Sequence, residues 1–138
     1  MRSKLVPKPP IALACGILRD GARVLFLVRR RSDGMEMLEL PCVAVHSGEN
    51  TVALLSVAFR EQAGIDGMVC EPVIEGRHNL GSRRRKALVP AIGFAVKAKN
   101  CTARPASGFA GFKWMALAEA ARKKLSRNTE WLAACGGR

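Results

Sequence analysis

The chain has 138 residues, of which 49% are hydrophobic and 25% are charged, and its formal net charge is +12. This composition excludes a globally disordered chain, and no apolar run approaches the roughly 18 residues that a membrane-spanning helix needs. We therefore expect one domain over residues 11–135, preceded by an extended, proline-rich segment over residues 1–10.

The positive charge is clustered rather than evenly spread. Three basic runs stand out, at 29–31, 83–86 and 122–124. Such a field attracts polyanions and speeds their association, which favours a nucleotide or another phosphate-bearing ligand, with RNA as a second candidate partner. A merely solvated surface is the alternative interpretation. Because the chain has no tyrosine, any RNA contact is expected to go through backbone phosphates.

The cysteines indicate a reducing compartment. Their number, five, is odd and no two of them form a CxxC pair, which argues against a disulfide framework and against a zinc ribbon. The N-terminus is basic and lacks the apolar core of a secretory signal. We expect a cytoplasmic protein that has no membrane partner.

Strands and one long helix are predicted in the first half of the chain. Apolar runs at 11–18, 22–28 and 35–41 predict strands, and Asp20-Gly21 predicts a hairpin turn between the first two. A loop is expected over 42–48. A helix is predicted over 49–63, with Asn50 as its N-cap and Gly64 at its C-terminus. Its apolar positions recur at helical spacing and predict one buried stripe: Val52, Leu55, Phe59 and Ala63.

The second half predicts three more strands and two helices. The strands are expected at 68–74, 87–98 and 112–115, and the second is nearly all apolar, which is typical of a central strand. Helices are expected at 116–125 and 129–134, with Trp131 packed on the core. This order is not an alternating βαβ pattern, so it favours an α/β sandwich over a Rossmann-type fold.

The chain resembles the Nudix superfamily over almost its whole length. The likeness is carried by Leu40-Pro41, Ser47-Gly48-Glu49, Gly64-Ile65 and the late strand that contains Trp114. The resemblance implies a Nudix-like α/β/α sandwich with a mixed central sheet, whose characteristic helix spans about residues 50–63.

The nine constrained positions of the Nudix signature are only partly retained. They fall on Val43, Glu49, Val57, Ala58, Phe59, Glu61, Gln62, Gly64 and Ile65. The signature's glycine, its arginine and two of its glutamates are replaced, at Val43, Val57, Ala58 and Gln62. Glu49, Phe59, Glu61, Gly64 and Ile65 match.

The two lost glutamates matter because positions 58, 61 and 62 share one helix face, where three carboxylates would bind Mg²⁺. The resemblance implies a site of Glu61, Gln62 and the backbone carbonyl of Cys42 for Mg²⁺ or Mn²⁺, if activity survives. It implies catalytic roles for Glu61, Gln62 and Glu49. Ala58 offers no ligand, and Gln62 offers one neutral carbonyl. A carboxylate from elsewhere could complete the site, and the candidates are Glu36, Glu39, Glu71 and Glu75.

Basic residues are the candidate phosphate ligands, since the arginine fork can hold two oxygens at once. The resemblance places Arg29 and Arg30 near a nucleotide. A second set is expected on an exposed turn between strands: Arg83, Arg84, Arg85 and Lys86.

Two functions therefore stay open. The first is a Nudix-family protein that recognises a nucleoside-diphosphate-linked or other phosphate-rich ligand, with Mg²⁺-dependent pyrophosphate hydrolysis weak or lost. The alternative is a non-catalytic scaffold that binds RNA, a ribonucleoprotein or a protein partner through its basic surface. Whether the chain is an enzyme stays undecided, and a homodimer is common in the family.

Overall fold

The computed structural model describes residues 8–135. Within them the strands are β1 Ala12–Asp20, β2 Arg23–Arg30, β3 Glu36–Glu39, β4 Cys42–Val45, β5 Met68–Asn79, β6 Leu88–Lys97 and β7 Gly111–Met115. The helices are α1 Thr51–Ala63, α2 Leu117–Ala120 and α3 Trp131–Ala134, and Arg127–Thr129 forms a 3₁₀ turn. In this part of the chain no helix has the length and apolarity to cross a membrane.

The sheet is mixed and is organised around β1. This strand pairs in parallel with β6 and antiparallel with β4, and its end turns into β2. On one side β6 continues to β5, while on the other β2 pairs antiparallel with both β3 and β7. The prediction that the apolar segment at 87–98 is a central strand is confirmed, because β6 lies between β1 and β5.

Two apolar cores lie on opposite faces of this sheet, because successive strand residues point to opposite sides. Along β2, Leu25 and Leu27 face the core that contains Phe59 of α1. Phe26 faces the other core, which contains Trp131 of α3. Helices thus cover both faces, which confirms the predicted α/β/α sandwich with a mixed sheet.

The predicted caps of α1 are confirmed, although the helix begins at Thr51 rather than at residue 49. The side chain of Asn50 accepts a hydrogen bond from the backbone N–H of Ala53 at 3.0 Å. Gly64 ends the helix with φ of 70°, a left-handed conformation that suits glycine. The predicted buried stripe is wrong at Val52, which is 44% exposed. Ala58 is buried instead, so the buried face consists of Leu55, Ala58, Phe59 and Ala63.

The loop predicted over 42–48 is wrong at its start, because Cys42–Val45 forms β4. Valines favour a pleated, half-buried surface, and this short segment pairs with β1, with Cys42 opposite Cys15. Such a pairing depends on a strand more than twenty residues earlier in the chain, so local sequence does not show it.

The helix predicted at 116–125 is also too long, since α2 ends at Ala120. Beyond it the backbone turns out to pair with β3. The N–H of Leu38 donates to the carbonyl of Lys124, and the N–H of Ser126 donates to the carbonyl of Leu38, both at 2.9 Å. This pairing requires extended backbone and outweighs the helix propensity of the alanine- and lysine-rich segment. Trp131 is 3% exposed, which confirms its predicted place in the core.

Candidate functional site

The side chain of Gln62 pairs with the backbone edge of β4 that faces away from β1. Its Oε1 accepts a hydrogen bond from the N–H of Cys42 at 3.1 Å, and its Nε2 donates to the Cys42 carbonyl at 2.8 Å. Both backbone groups of Cys42 therefore point away from β1 and toward α1. The structure does bring these two predicted site residues together, but the amide donor occupies the carbonyl oxygen.

The other two positions of this helix face differ sharply in environment. Ala58 is buried at 7% exposure, whereas Glu61 lies on the exposed surface of the helix. Within residues 8–135 the Glu61 carboxylate makes no hydrogen bond or ion pair, and no three His, Cys, Asp or Glu side chains are grouped so as to hold a metal ion. One carboxylate beside an occupied carbonyl does not fit the oxygen-rich site that Mg²⁺ prefers.

Glu49 is held in the turn that precedes α1. Its Oε1 accepts a hydrogen bond from the N–H of His46 at 2.6 Å and lies 3.2 Å from the His46 ring nitrogen Nδ1. This arrangement closes the turn ahead of the Asn50 cap. Glu49 thus has a local structural task, and its catalytic role stays a prediction.

Arg29, a predicted phosphate ligand, forms a two-pronged ion pair with Glu39 of β3. Its Nε donates to Oε1 at 2.7 Å and its Nη2 donates to Oε2 at 3.3 Å. The guanidinium carbon also lies 4.5 Å from the centre of the Phe109 ring, a cation–π distance. The hydrogen bond to Glu39 raises the pKa of Arg29 further. Arg29 is therefore a fixed cation, still 44% exposed on its side chain.

The other candidate carboxylates are also accounted for. Glu36 pairs with Arg30 at 2.8 Å and with Lys113 at 3.2 Å, and both contacts lower its pKa. Glu39 is ion-paired with Arg29. The remaining two candidates, Glu71 and Glu75, lie exposed on β5 at the edge of the sheet.

A loop that the sequence reading did not single out lies against the end of α1. The backbone N–H groups of Arg104 and Ala106 donate to the carbonyls of Ala63 and Gln62, at 2.7 and 2.9 Å. A Cβ at Gly64 would meet the Arg104 carbonyl oxygen at 2.5 Å, so this close approach requires glycine. The loop between Lys97 and Gly111 contains no Asp or Glu. It brings backbone to the helix end and supplies no carboxylate.

The second predicted phosphate set lies on the turn between β5 and β6, where Arg83, Arg84, Arg85 and Lys86 are all exposed. Asn79 organises this turn: its Oδ1 accepts hydrogen bonds from the N–H groups of Gly81 and Ala87, at 2.9 and 3.0 Å. In the part of the chain that the structure describes, no hydrogen bond or ion pair joins these four residues to α1. They form a region separate from the α1 face.

No protein-family model and no curated protein sequence matches the chain. Solved structures do match the chain. The E. coli ORF135 protein is 19% identical, with 90% of this chain and 86% of that one covered at a TM-score of 0.70. The MutT Nudix hydrolase from Burkholderia pseudomallei is 16% identical, covering 93% and 98% at 0.69. The Nudix domain of Shewanella oneidensis NrtR, complexed with ADP ribose, is 14% identical, covering 94% and 86% at 0.63. The chain therefore has the Nudix hydrolase fold.

Proposed function

We propose that this protein binds a nucleoside-diphosphate-linked or other phosphate-rich ligand and that its Mg²⁺-dependent hydrolysis is weak or lost. The fold supports the ligand class, because a Nudix domain of the same fold is complexed with ADP ribose. The pairing of Gln62 with Cys42 supports the loss of hydrolysis and is the observation that carries the proposal.

Gln62 offers hydrogen-bond groups different from those of a glutamate. A glutamate at this position would present two acceptor oxygens, which a cation could join to the neighbouring carbonyl. The amide instead presents an NH2 group and a single acceptor oxygen. An N–H of that group already donates to the Cys42 carbonyl, and the oxygen already accepts from the Cys42 N–H. A cation would have to break this hydrogen bond and would find only Glu61 as a charged ligand. Gln62 therefore joins α1 to β4 directly, without a cation between them.

Arg29 is the residue that we propose to contact the ligand. Its guanidinium is oriented by Glu39 and Phe109, and part of the fork stays exposed. Arginine held in this way loses little side-chain freedom when it binds a phosphate oxygen. Phe112 lies on β7, which pairs with β2, and Phe109 lies just before β7. Both rings offer apolar surface to a base or a sugar. Phe112 is 42% exposed.

Calorimetry with Mg²⁺, Mn²⁺, ADP-ribose and ATP tests the proposal directly. We expect saturable ADP-ribose or ATP binding that changes little when the metal is removed by a chelator. The Arg29→Gln variant should bind the nucleotide about tenfold or more weakly, which corresponds to losing a charge-assisted contact. Arg31→Gln is the matched control, because Arg31 is also exposed near the end of β2 and also pairs with a carboxylate, that of Asp33, so both variants remove the same charge.

Turnover must be followed on the same samples by phosphorus NMR. Metal-dependent hydrolysis that disappears in Glu61→Gln would contradict the proposed loss and restore an enzyme built on one carboxylate. Nucleotide binding without turnover would support a phosphate-binding protein. Sedimentation of the same samples measures whether the homodimer common in the family forms.

The second candidate function is a scaffold for RNA or a protein partner, favoured by the exposed basic turn at 83–86 and the net charge of +12. A short RNA with a 5′-triphosphate distinguishes it. If RNA binds, weakens steeply with salt and does not compete with ADP-ribose, the scaffold is the better description.

A further inference from the structure

A cleft lies on the face of the sheet opposite α1. It has a volume of about 500 Å³ and opens between the end of β5, the turn after it and the segment that leads into α3. Trp131 and Gly81 contribute to its wall, together with several charged and polar side chains. Since Trp131 belongs to the core across the sheet from Phe59, the cleft is separate from the α1 face.

His78 distinguishes this cleft from an ordinary surface groove. It lines the cleft and is only 6% exposed. Within the described residues its imidazole has no hydrogen-bond partner, whereas the neighbouring Asn79 uses both ends of its amide. Buried polar groups are normally paired, so an unpartnered imidazole facing a cavity indicates a ligand or water there.

The charge around the cleft is strongly one-sided. Arg77, Arg83 and Arg127 line it, against the single carboxylate of Glu130. The Nη2 of Arg127 donates to the carbonyls of Gly81 and Asn79, which fixes the orientation of the guanidinium. Its remaining N–H groups make no hydrogen bond within residues 8–135. A fixed arginine with free donors is a ready site for an oxyanion.

We propose that this cleft binds the phosphate group of a small phosphate ester, with Arg83, Arg127 and His78 as its ligands. The volume exceeds that of an isolated phosphate and falls within the range of small-molecule pockets. The tetrahedral anion accepts from several donors at once, which suits arginines that converge from a turn and a 3₁₀ segment. Because the cleft is on the other face of the sheet, phosphate binding there does not depend on the proposed nucleotide site at Arg29.

Two neighbouring residues provide a matched test. Arg83 lines the cleft, whereas Arg84 is exposed on the same turn and does not. The two arginines contribute equally to the net charge. We expect Arg83→Ala to weaken the binding of inorganic phosphate and of a nucleoside monophosphate by about tenfold, while Arg84→Ala changes it less than about twofold. Titrations followed by ¹H–¹⁵N NMR give the affinity and the location together.

His78→Gln and His78→Phe test the histidine, and their circular dichroism checks that the fold is kept. Both should weaken the phosphate binding that shifts the resonances of the cleft residues, and any shift of α1 resonances would report the separate nucleotide site. In the native protein, phosphate should also raise the pKa of the His78 ring, although burial and the charge of Arg127 oppose its protonation and Glu130 favours it.

The outcomes distinguish a free phosphate from a phosphate ester, and a defined site from a diffuse positive field. Binding of inorganic phosphate alone indicates a free-anion site, and tighter binding of the monophosphate indicates an ester site. Both support the proposal if Arg83 and Arg84 differ. Equal losses in the two arginine variants, or binding only of a 5′-phosphorylated RNA with equal sensitivity to both, would mean a diffuse positive field and overturn it. The absence of saturable binding by any probe would overturn it as well.

Discussion

The side-chain amide of Gln62 pairs with the backbone N–H and carbonyl of Cys42, much as a neighbouring strand would. β4 is a short strand paired with β1, and its other edge would otherwise present unpaired backbone groups. The glutamine therefore does structural work at a position where the resemblance implies a metal ligand. At this position the amide stabilises the edge of β4 and offers no carboxylate to a metal ion.

Gln62→Glu should destabilise the metal-free protein. The carboxylate would place an acceptor against the Cys42 carbonyl, where the amide now donates, so a hydrogen bond is replaced by repulsion between oxygens. We expect a loss of about 1–3 kcal/mol in the free energy of unfolding. Urea denaturation in the presence of a chelator measures it.

The control for this variant is Glu61→Gln, because Glu61 is exposed and makes no hydrogen bond or ion pair within the described residues. Its unfolding free energy should stay within about 0.5 kcal/mol of the parent. Mg²⁺ should recover part of the stability lost in Gln62→Glu and should not affect the parent. If Gln62→Glu is as stable as the parent without metal, the pairing with Cys42 does not hold α1 to β4.

Local signals predicted the parts of the fold that depend on neighbouring residues. Asn50 and Gly64 set the ends of α1, and Asp20-Gly21 set the first hairpin, because caps and turns depend on a few adjacent residues. β4 and the end of α2 were mispredicted, since Cys42 pairs with Cys15 and Leu125 pairs with Leu38 across long stretches of chain. Tertiary pairing outweighed local propensity at both places.

The candidate site, too, could be predicted only in the features that depend on local sequence. The loss of carboxylates at positions 58 and 62 can be read directly from the sequence. The partners of the remaining groups cannot, because Gln62 reaches a backbone twenty residues away and Arg29 is fixed by Glu39 on another strand. The unpartnered state of His78 was equally hidden, since it depends on how α3 and the 80–87 turn pack around β5.

Thr129 anchors the 3₁₀ turn before α3 to the short connection between β3 and β4. Its Oγ1 accepts a hydrogen bond from the N–H of Leu40 at 3.1 Å, and both residues are fully buried. Thr129→Val keeps the shape but leaves the Leu40 N–H without a partner, so we expect a loss of about 1–3 kcal/mol. Thr129→Ser keeps the hydroxyl and should lose less. Equal losses in the two variants, measured by urea denaturation, would assign the effect to packing.

Gly76 allows α3 to pack directly on β5. A Cβ at this position would lie 2.7 Å from Cε3 of Trp131 and 3.0 Å from the sulfur of Cys135. Gly76→Ala should therefore destabilise the protein by about 1–3 kcal/mol through overpacking. Gly111→Ala is the matched control on another strand, because a Cβ there meets nothing within 4 Å. Thermal unfolding of both variants checks the difference. A Gly76 variant as stable as the Gly111 variant would mean that α3 shifts without cost.

His78 should make the protein less stable as the pH falls below neutrality. Burial lowers the pKa of its ring, and the charge of Arg127 lowers it further. The unfolded chain, with a pKa of about 6.5, then binds a proton more readily than the folded chain, so stability is lost from about pH 6.5 downward. His78→Phe has no such proton to bind, and its stability should stay level over the range where carboxylates remain ionised. His46 is present in both proteins, so the difference in melting temperature between them isolates His78. Parallel pH profiles for the two proteins would contradict a buried, neutral imidazole. Saturating phosphate should flatten the parent's profile if the anion binds beside the ring.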